Sequence, residues 1–460
     1  MHPASYRDTS GFIFQQDGKI YRFIDPLYEI HYAQLMNSGL YDELVKRSML
    51  IAHDEINGTA TFGLGPGRVL LPEQIPFISY PYEWSFDMWK DAALLTLQIA
   101  AAAIQKGMIL KDATPFNIQF HKGKPVFIDT LSFEQYQPGK PWIAYRQFCE
   151  CFLGPLLLMH YCHPETGKIF TVYPNGIPMG VLVSFLPNRS RLNMNTLLHV
   201  HLQAKISGKQ KPVRTDQAGG QKPAGENNFS KQKLELLLKG LESYVQHLTQ
   251  KKISTTWDDY YTGTILGDDY LDAKTILVRS FINTIEYKNV IDLGANDGHF
   301  SQLFAGDRQV IATDADPNCI NALYNKIKQS GKTNILPLVN DITTPSPAIG
   351  WNNTERDSIT GRLKADLVLA LALVHHLAIA GNVPLSMIAD WLQAMGNYLI
   401  IEFVPKTDEK VKLLLRNRED IFIDYTLEHF KNVFSGKYKI IKEAKVGNTS
   451  RVLFLMQRTW

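Results

Sequence analysis

The chain has 460 residues and a mass of 52.2 kDa, with 45% apolar residues, 20% charged residues and a formal net charge of +3. This length predicts two or three domains, each able to bury a core, because a typical domain has roughly 100–200 residues. No apolar run reaches the roughly 20 residues that a membrane span needs, and residues 1–10 lack a signal-peptide pattern, so we expect no membrane span and a cytoplasmic location.

The first half of the chain carries a pattern of acidic and amide residues that follows a long apolar helix. Residues 12–14 and 19–23 predict short strands, and residues 89–106 predict the helix. The chain then reads Asp112-Ala-Thr-Pro-Phe-Asn117, and Asp129 follows twelve residues later. In phosphoryl transfer one Asp orients the attacking hydroxyl, while an Asn and a second Asp hold Mg²⁺ against the phosphates. Asp112, Asn117 and Asp129 are therefore a candidate kinase-like site.

These residues resemble the catalytic loop and the metal-binding acid of protein-kinase-like phosphotransferases. The sequence departs from that family at several points: Leu110 stands at the usual His position, Thr130 follows Asp129 where Phe is usual, and no Gly-rich phosphate loop precedes them. Arg22 is the nearest match for the ion-pairing lysine. Without the loop and the lysine, much of the electrostatic stabilisation of phosphoryl transfer is missing.

The resemblance implies an α+β kinase-like domain over residues 1–204 whose chemistry is degenerate. Three interpretations stay open. The domain is an active phosphotransferase that uses Mg-ATP, or a module that binds a substrate or partner. In the third, the similarity arises by chance and Asp112 and Asn117 cap turns.

The four cysteines are Cys149, Cys151, Cys162 and Cys319. They include no C-x-x-C pair and no zinc-ligand spacing. We therefore expect buried free thiols and no metal site.

Residues 205–233 separate the two halves and differ from both in composition. Six lysines and one arginine stand against Asp216 and Glu226, which leaves this segment a net charge of +5 and the remainder −2. The segment is rich in Gly, Gln, Lys and Pro, which predicts a flexible basic linker, with a basic arm for an acidic partner as the alternative. Because the rest of the chain is not basic, we expect no nucleic-acid partner.

The most informative stretch is residues 289–314, a strand followed by a glycine turn and a second strand that ends in an acid. Asp292 closes the first strand, and the turn reads Gly294-Ala295-Asn296-Asp297-Gly298. Asp314 follows about twenty residues after the first glycine, where an acid accepts hydrogen bonds from ribose hydroxyls. The turn lacks the G-x-G-x-x-G spacing for a pyrophosphate, and its acids repel one but tolerate an ammonium and a sulfonium. The stretch therefore favours S-adenosylmethionine over a dinucleotide.

Residues 289–404 resemble the class I S-adenosylmethionine-dependent methyltransferases. In that family the glycine turn is the first motif, Asp314 the ribose-binding acid, and Asn340-Asp341 the position that meets the adenine edge. Together these imply a cofactor site formed by Asp292, Gly294, Ala295, Asn296, Gly298, Asp314, Asn340 and Asp341. The resemblance also implies a Rossmann-like seven-stranded α/β sheet. Residues 438–444 and 451–457 flank a turn and predict its antiparallel edge hairpin.

Three residues at predicted strand ends are candidates for catalysis, because ligands of open α/β sheets lie beyond the carboxyl ends of the strands. His375 and His376 come first, since an imidazole suits a base at neutral pH, and Glu402 comes second. A structural, hydrogen-bonded role is the alternative for each. The sequence lacks the Asn/Asp-Pro-Pro-aromatic and Pro-Cys motifs of nucleobase methyltransferases. We therefore expect O-methylation of a small molecule, glycan-type compound or carrier-bound intermediate, with C- or N-methylation open.

Residues 402–409 and 418–422, together with the pairing of the two halves, resemble the NoeA-like nodulation methyltransferase group. That resemblance spans most of the chain outside the linker and supports a methyltransferase domain over residues 234–460, with a helical extension at its start. It does not define the acceptor, and the sequence does not indicate an oligomeric state.

Overall fold

The computed structural model describes residues 1–207, 229–253, 268–304, 306, 308–416 and 418–459. Most of the predicted linker, residues 208–228, lies outside the described residues. The chain divides into two compact units. Unit 1 comprises Met1–Ile253 and Ala348–Asp357, and unit 2 comprises Ser254–Pro347 and Ser358–Trp460.

Unit 1 begins with a four-stranded antiparallel sheet in the order β1-β2-β4-β3, followed by the pairs β5–β8 and β6–β7. Asp17 and Gly18, with φ of +50° and +73°, join the first two strands. A two-residue turn with positive φ at both positions matches the twist of a hairpin. The strands of unit 1 are β1 (Gly11–Gln16), β2 (Lys19–Ile24), β3 (His53–Ile56), β4 (Arg68–Pro72), β5 (Met108–Leu110), β6 (Ile118–His121), β7 (Lys124–Phe127) and β8 (Phe133–Gln135).

The rest of unit 1 is helical. Its α-helices are α1 (Glu29–Asn37), α2 (Leu40–Lys46), α3 (Phe86–Gln105), α4 (Tyr145–Phe148), α5 (Gly154–Tyr161), α6 (Met179–Phe185), α7 (Met194–Thr196), α8 (Leu202–Ser207) and α9 (Lys231–His247). Its π-helical turns are Cys149–Leu153 and Leu197–His201, and its 3-10 helices are Pro3–Ser5, Pro26–Tyr28, Thr59–Phe62, Pro81–Glu83, Pro115–Asn117, Thr130–Ser132, Pro164–Thr171, Asn188–Leu192 and Trp351–Asn353.

Helix α9 shows why the observed division differs from the predicted boundaries at residues 204 and 234. Its apolar residues recur at helical spacing, and Leu234, Leu238 and Leu241 are buried. This face packs against α3 of unit 1. The helix that we expected as an extension of the second domain therefore belongs to unit 1, since α3 supplies the apolar surface that covers it.

Unit 2 is built on a seven-stranded mixed sheet in the order β11-β10-β9-β12-β13-β15-β14. The first five strands in this order are parallel, and the last two form an antiparallel hairpin at the edge, as predicted. The strands are β9 (Asn289–Leu293), β10 (Gln309–Asp314), β11 (Ile335–Val339), β12 (Ala365–Ala370), β13 (Gly396–Phe403), β14 (Tyr438–Lys445) and β15 (Val452–Arg458). This strand order is that of the class I methyltransferase fold that the sequence predicted.

The helices of unit 2 connect these strands. They are α10 (Asp268–Ile282), α11 (Pro317–Ser330), α12 (Ile359–Arg362), α13 (Leu385–Gln393), α14 (Glu409–Leu415) and α15 (Leu427–Ser435), with a 3-10 helix at Ser301–Leu303 and a π-helical turn at His376–Ala380. The strand order reverses between β9 and β12, which creates a crevice at the carboxyl ends of the strands. None of the helices in the described ranges is long and apolar enough to cross a membrane.

Candidate functional site

The glycine turn after β9 depends on backbone conformations that favour glycine. Gly294 and Gly298 have φ of +70° and +76°, and Asn296 has φ of +49°. A Cβ at Gly298 would lie 2.3 Å from Cδ1 of Leu323 in α11. The backbone N–H of Gly294 donates to the carbonyl of Thr313 at 2.8 Å, which ties the turn to β10. The turn therefore needs its glycines both for conformation and for close packing.

Asp314 lies at the end of β10, next to this turn. Its carboxylate accepts hydrogen bonds from the backbone N–H groups of Asn296 and Asp316, both at 2.9 Å. Burial raises the pKa of Asp314 above its ordinary value, and the two backbone hydrogen bonds partly offset this. The acid is held in one orientation by the loops that it joins.

Asn340 and Asp341 follow β11 on the other side of Asp314. The N–H of Asn340 donates to the backbone carbonyl of Asp314 at 2.8 Å, which places the two loops side by side. The Oδ1 atom of Asn340 is buried and has no hydrogen-bond partner within the described ranges. Asp341 accepts from the backbone N–H and the hydroxyl of Thr343 at 2.8 and 2.7 Å. Asn340 thus offers a buried acceptor, whereas the Asp341 carboxylate shapes its own loop.

These loops enclose a cavity of about 330 Å³ at the carboxyl ends of the parallel strands. Of the predicted cofactor residues, those that line it are Gly294, Asn296, Asp314, Asn340 and Asp341. Three others lie outside the lining. Asp292 is buried beneath the turn, where it accepts from the Ser301 hydroxyl at 2.6 Å and where burial raises its pKa to about 6. Ala295 and Gly298 belong to the turn itself, and Gly298 packs against Leu323 of α11.

Several lining residues were not predicted from the sequence. They are Ala315, Ile342, Thr343, Leu371, Ala372, Leu373, Leu377, Ala380 and Gly381. The run 371–373 directly follows β12, so the strand end was a signal that could have identified it. Ala372 has φ of +50°, an uncommon conformation for a residue with a Cβ. Nothing in the sequence distinguishes Ala380 or Gly381.

The two predicted histidines lie in different environments although their ring centres are 4.1 Å apart. His376 lines the cavity, and burial together with the nearby Arg451 and Lys410 lowers its pKa to about 4. His375 does not line it and is fully buried. Neither ring nitrogen of His375 has a hydrogen-bond partner among the described residues, and burial lowers its pKa well below 6.5. Both imidazoles are therefore neutral at pH 7.

Glu402 lies within a fully buried ionic network rather than in the lining of the cavity. Its carboxylate is 2.6 Å from Nζ of Lys274 and accepts from the Tyr270 hydroxyl at 2.7 Å. Arg451 donates to the same hydroxyl at 2.7 Å and to Asp408 at 2.8 and 3.0 Å. Although burial alone would raise the pKa of Glu402, Lys274 and Arg451 hold it below its usual value. An ionised, fully paired carboxylate is a poor proton acceptor.

The kinase-like residues come together in unit 1. The Asn117 amide donates to Asp112 at 3.2 Å, and Asp129 accepts from Arg22 at 2.5 Å. Burial and the neighbouring Asp129 raise the pKa of Asp112. Among the described residues, no group of three or more His, Cys, Asp or Glu side chains is placed to hold a metal ion.

Comparison with known proteins gives one close relative in sequence. The chain is 34% identical over 461 residues to nodulation protein NoeA of Rhizobium meliloti (strain 1021). The aligned region covers 99% of this chain and 96% of NoeA. No protein-family model matches the chain.

Similar solved structures align with less than half of the chain. The N-methyltransferase NodS of Bradyrhizobium japonicum WM9, in complex with S-adenosyl-L-homocysteine, is 12% identical with a TM-score of 0.32 and covers 42% of this chain and 88% of NodS. WbdD is 16% identical with a TM-score of 0.30 and covers 47% of this chain and 46% of WbdD. Likeness at these TM-scores carries no weight for the activity. The sequence similarity to NoeA spans nearly the whole of both proteins, and the chain therefore belongs to the NoeA family.

Proposed function

We propose that the chain is a methyltransferase that binds S-adenosylmethionine in the cavity of unit 2 and methylates a hydroxyl of a small-molecule or glycan-type acceptor. One observation carries the proposal: the oriented acid Asp314 lines one cavity at the switch point of the sheet together with Asn340, whose buried Oδ1 has no hydrogen-bond partner among the described residues. Ligands of open α/β sheets bind at this point.

The residues of the cavity match the parts of this cofactor. Asp314 would hold the two ribose hydroxyls as a hydrogen-bond acceptor, and Asn340 would meet the adenine edge. Ile342 and Leu373 supply apolar contacts beside the base. When bound, S-adenosylmethionine supplies a methyl group on a positively charged sulfur, and no pyrophosphate has to be accommodated.

His376 is the base in this proposal. Its imidazole lines the cavity and is neutral at pH 7, so it can take the proton of an acceptor hydroxyl. A pKa of about 4 makes it a weaker base than an ordinary imidazole, and its position in the cavity is what favours it over Glu402. His375 and Glu402 support the site from behind: His375 packs against the His376 ring, and Glu402 balances the buried charges of Lys274 and Arg451.

The kinase-like residues support a binding role for unit 1 over phosphoryl transfer. Asp129, the acid that would hold Mg²⁺, is already paired with Arg22. A divalent cation at Asp129 would have to displace or tolerate this guanidinium, which is electrostatically unfavourable.

Isothermal titration of the full chain with S-adenosylmethionine and S-adenosylhomocysteine tests the proposal. Asp314→Asn keeps the size of the side chain but replaces one acceptor oxygen with a donor, and we expect it to weaken binding roughly 10- to 100-fold. Asp297→Asn is the matched control, because Asp297 belongs to the same turn but is exposed and does not line the cavity. Absence of binding by the wild type, or equal binding by Asp314→Asn, would contradict the proposal.

A further inference from the structure

Unit 1 contains a cavity of about 490 Å³ that the methyl-donor site does not use. Its lining comes from the N-terminal residues 2–8, from β1 and β2, from Ile78 and Tyr80, from the kinase-like residues between 111 and 132, and from Glu355 and Arg356. The last two belong to the segment Ala348–Asp357, which lies in unit 1 although strands of unit 2 flank it in sequence. A protein-kinase-like motif does not predict the contribution of this segment.

The kinase-like side chains in the cavity are bonded to one another and to their neighbours. Asp129 pairs with Arg22 and accepts from the Ser132 hydroxyl. Asp112 accepts from the amides of Asn117 at 3.2 Å and Gln147 at 2.5 Å. Protein groups thus already bond the Asp129 carboxylate and the Asn117 amide, which would hold the cation, and the Asp112 carboxylate, which would orient the attacking hydroxyl. The cavity is therefore poorly suited to a metal–nucleotide complex.

Arg356 differs from these residues because most of its donors are open. Its guanidinium carbon lies 3.6 Å from the centre of the Phe116 ring, and its Nη1 donates to Glu355 at 3.1 Å. Among the described residues, no other group accepts a hydrogen bond from this guanidinium. The side chain is mostly buried, and burial lowers its pKa. None of its nitrogen atoms is among the buried groups without a hydrogen-bond partner, so its remaining donors stay accessible from the cavity.

Glu355 does not neutralise Arg356 fully, because it serves two arginines. Its carboxylate also accepts from Arg7 at 2.8 Å, from the Tyr6 hydroxyl at 3.0 Å and from the backbone N–H of Trp351 at 2.7 Å. Two guanidinium groups therefore share one carboxylate, and Arg7, Glu355 and Arg356 together carry a net charge of +1. The other charged residues of the lining balance this to zero, so the positive charge is local to Arg356. Aromatic stacking fixes the plane of Arg356 and presents its remaining donors as a fork.

We propose that this cavity binds a small organic oxyanion, a phosphate monoester or a carboxylate, on the fork of Arg356 and without a divalent cation. A planar guanidinium matches two oxygens of either group, and such charge-assisted pairs are about twice as strong as neutral hydrogen bonds. Phe12, Ile13 and Ile128 line the same cavity and provide an apolar wall for the body of the ligand. This site is separate from the methyl-donor site, and the proposal does not depend on methyl transfer.

The test uses phenyl phosphate and phenylacetate as probes, each an anion on an apolar ring. Binding to the full chain is titrated by saturation-transfer NMR, once in EDTA and once with Mg²⁺. We expect saturable binding of at least one probe in EDTA, and the two arms distinguish a phosphate site from a carboxylate site. Binding of neither probe, or binding that requires Mg²⁺, would overturn the proposal.

Variants of Arg356 locate the probe. Arg356→Gln should weaken binding roughly 10- to 100-fold, the loss expected for a charge-assisted hydrogen-bonded pair. Arg356→Lys keeps the positive charge but not the planar pair of donors, and its affinity for the probes should fall several-fold. This variant provides the test if Arg356→Gln does not fold. Arg47→Gln, an exposed arginine of unit 1 outside the cavity, should bind as the wild type does. Full affinity in Arg356→Gln or Arg356→Lys would refute the fork, and titration of the same samples with S-adenosylmethionine tests the methyl-donor site separately.

Discussion

The two regions that carry recognisable motifs differ in whether their polar atoms already have partners. In unit 2, the cavity is lined by Asn340, whose Oδ1 has no partner among the described residues. In unit 1, Asp112, Asn117 and Asp129 are hydrogen-bonded or paired within the protein. Both sets of residues stand in the order that their motifs require. A motif therefore identifies a place in a fold, whereas hydrogen-bonding groups without a protein partner indicate that a ligand binds there.

The largest expected loss of stability comes from the buried ionic network of unit 2. A substitution there shows whether Glu402 has a structural or a catalytic role. Glu402→Gln leaves Lys274 charged, buried and without its counter-ion. We expect the free energy of unfolding to fall by about 3–5 kcal/mol, the cost of breaking a buried ion pair. Chemical denaturation measures it, with Glu409→Gln, at an exposed pair with Lys412, as the control that changes little. A stable Glu402→Gln protein that lacks methyl transfer would instead make Glu402 catalytic.

The next largest effect is expected in the glycine turn after β9, where Gly298 packs against Leu323. Gly298→Ala combines a positive φ with a Cβ placed 2.3 Å from Leu323, so we expect a loss of about 2–4 kcal/mol. Gly331→Ala, at the end of α11, has a similar φ of +65° but no atom within 4 Å of the added Cβ. It should lose only about 1 kcal/mol. Equal losses in thermal unfolding would show that the contact with Leu323 does not matter.

A substitution at Asp129 tests whether the kinase-like residues of unit 1 are already paired within the protein. Asp129→Asn leaves the half-buried Arg22 without its partner, and we expect unit 1 to lose about 1–3 kcal/mol of stability. Methyl transfer should not change. If Mg-ATP raises the melting temperature of the wild type and Asp129→Asn abolishes that rise, unit 1 binds Mg-ATP through Asp129, which would contradict the binding role without a cation.

Acid pH should weaken both units through their buried histidines. Burial lowers the pKa of His53 in unit 1 and of His376 in unit 2 to about 4. A depressed pKa contributes stability that is fully present above the unfolded value of about 6.5 and is lost as pH falls towards 4. We expect a loss on the order of 1 kcal/mol for each pH unit and each histidine. His53→Gln should flatten this dependence in denaturation curves between pH 7 and 4.5, whereas His247→Gln, an exposed control, should not.

The sequence predicted the sheet of unit 2 well because its parallel strands are apolar runs. Asp314 and Asn340 were found because they stand at the end of β10 and directly after β11. His376 was expected at a strand end, but β12 ends at Ala370 and His376 begins the π-helical turn that follows, from which it still lines the cavity. Glu402 stands near the end of β13, but its partners Lys274 and Arg451 come from distant parts of the chain. No local pattern predicts such an ion pair. The same limit applies to Arg356, which belongs to unit 1 only through tertiary packing.

A methyl-transfer assay measures directly the activity that we propose for unit 2. The full chain is incubated with methyl-labelled S-adenosylmethionine and a small-molecule extract, and mass spectrometry follows the label. We predict a labelled low-mass product, formed roughly 10²- to 10⁴-fold more slowly by His376→Asn, the usual contribution of a general base. Titration should show that His376→Asn still binds the cofactor. If no labelled product forms, unit 2 is not a methyltransferase of small molecules, and if His376→Asn forms the product as fast as the wild type, His376 is not the base.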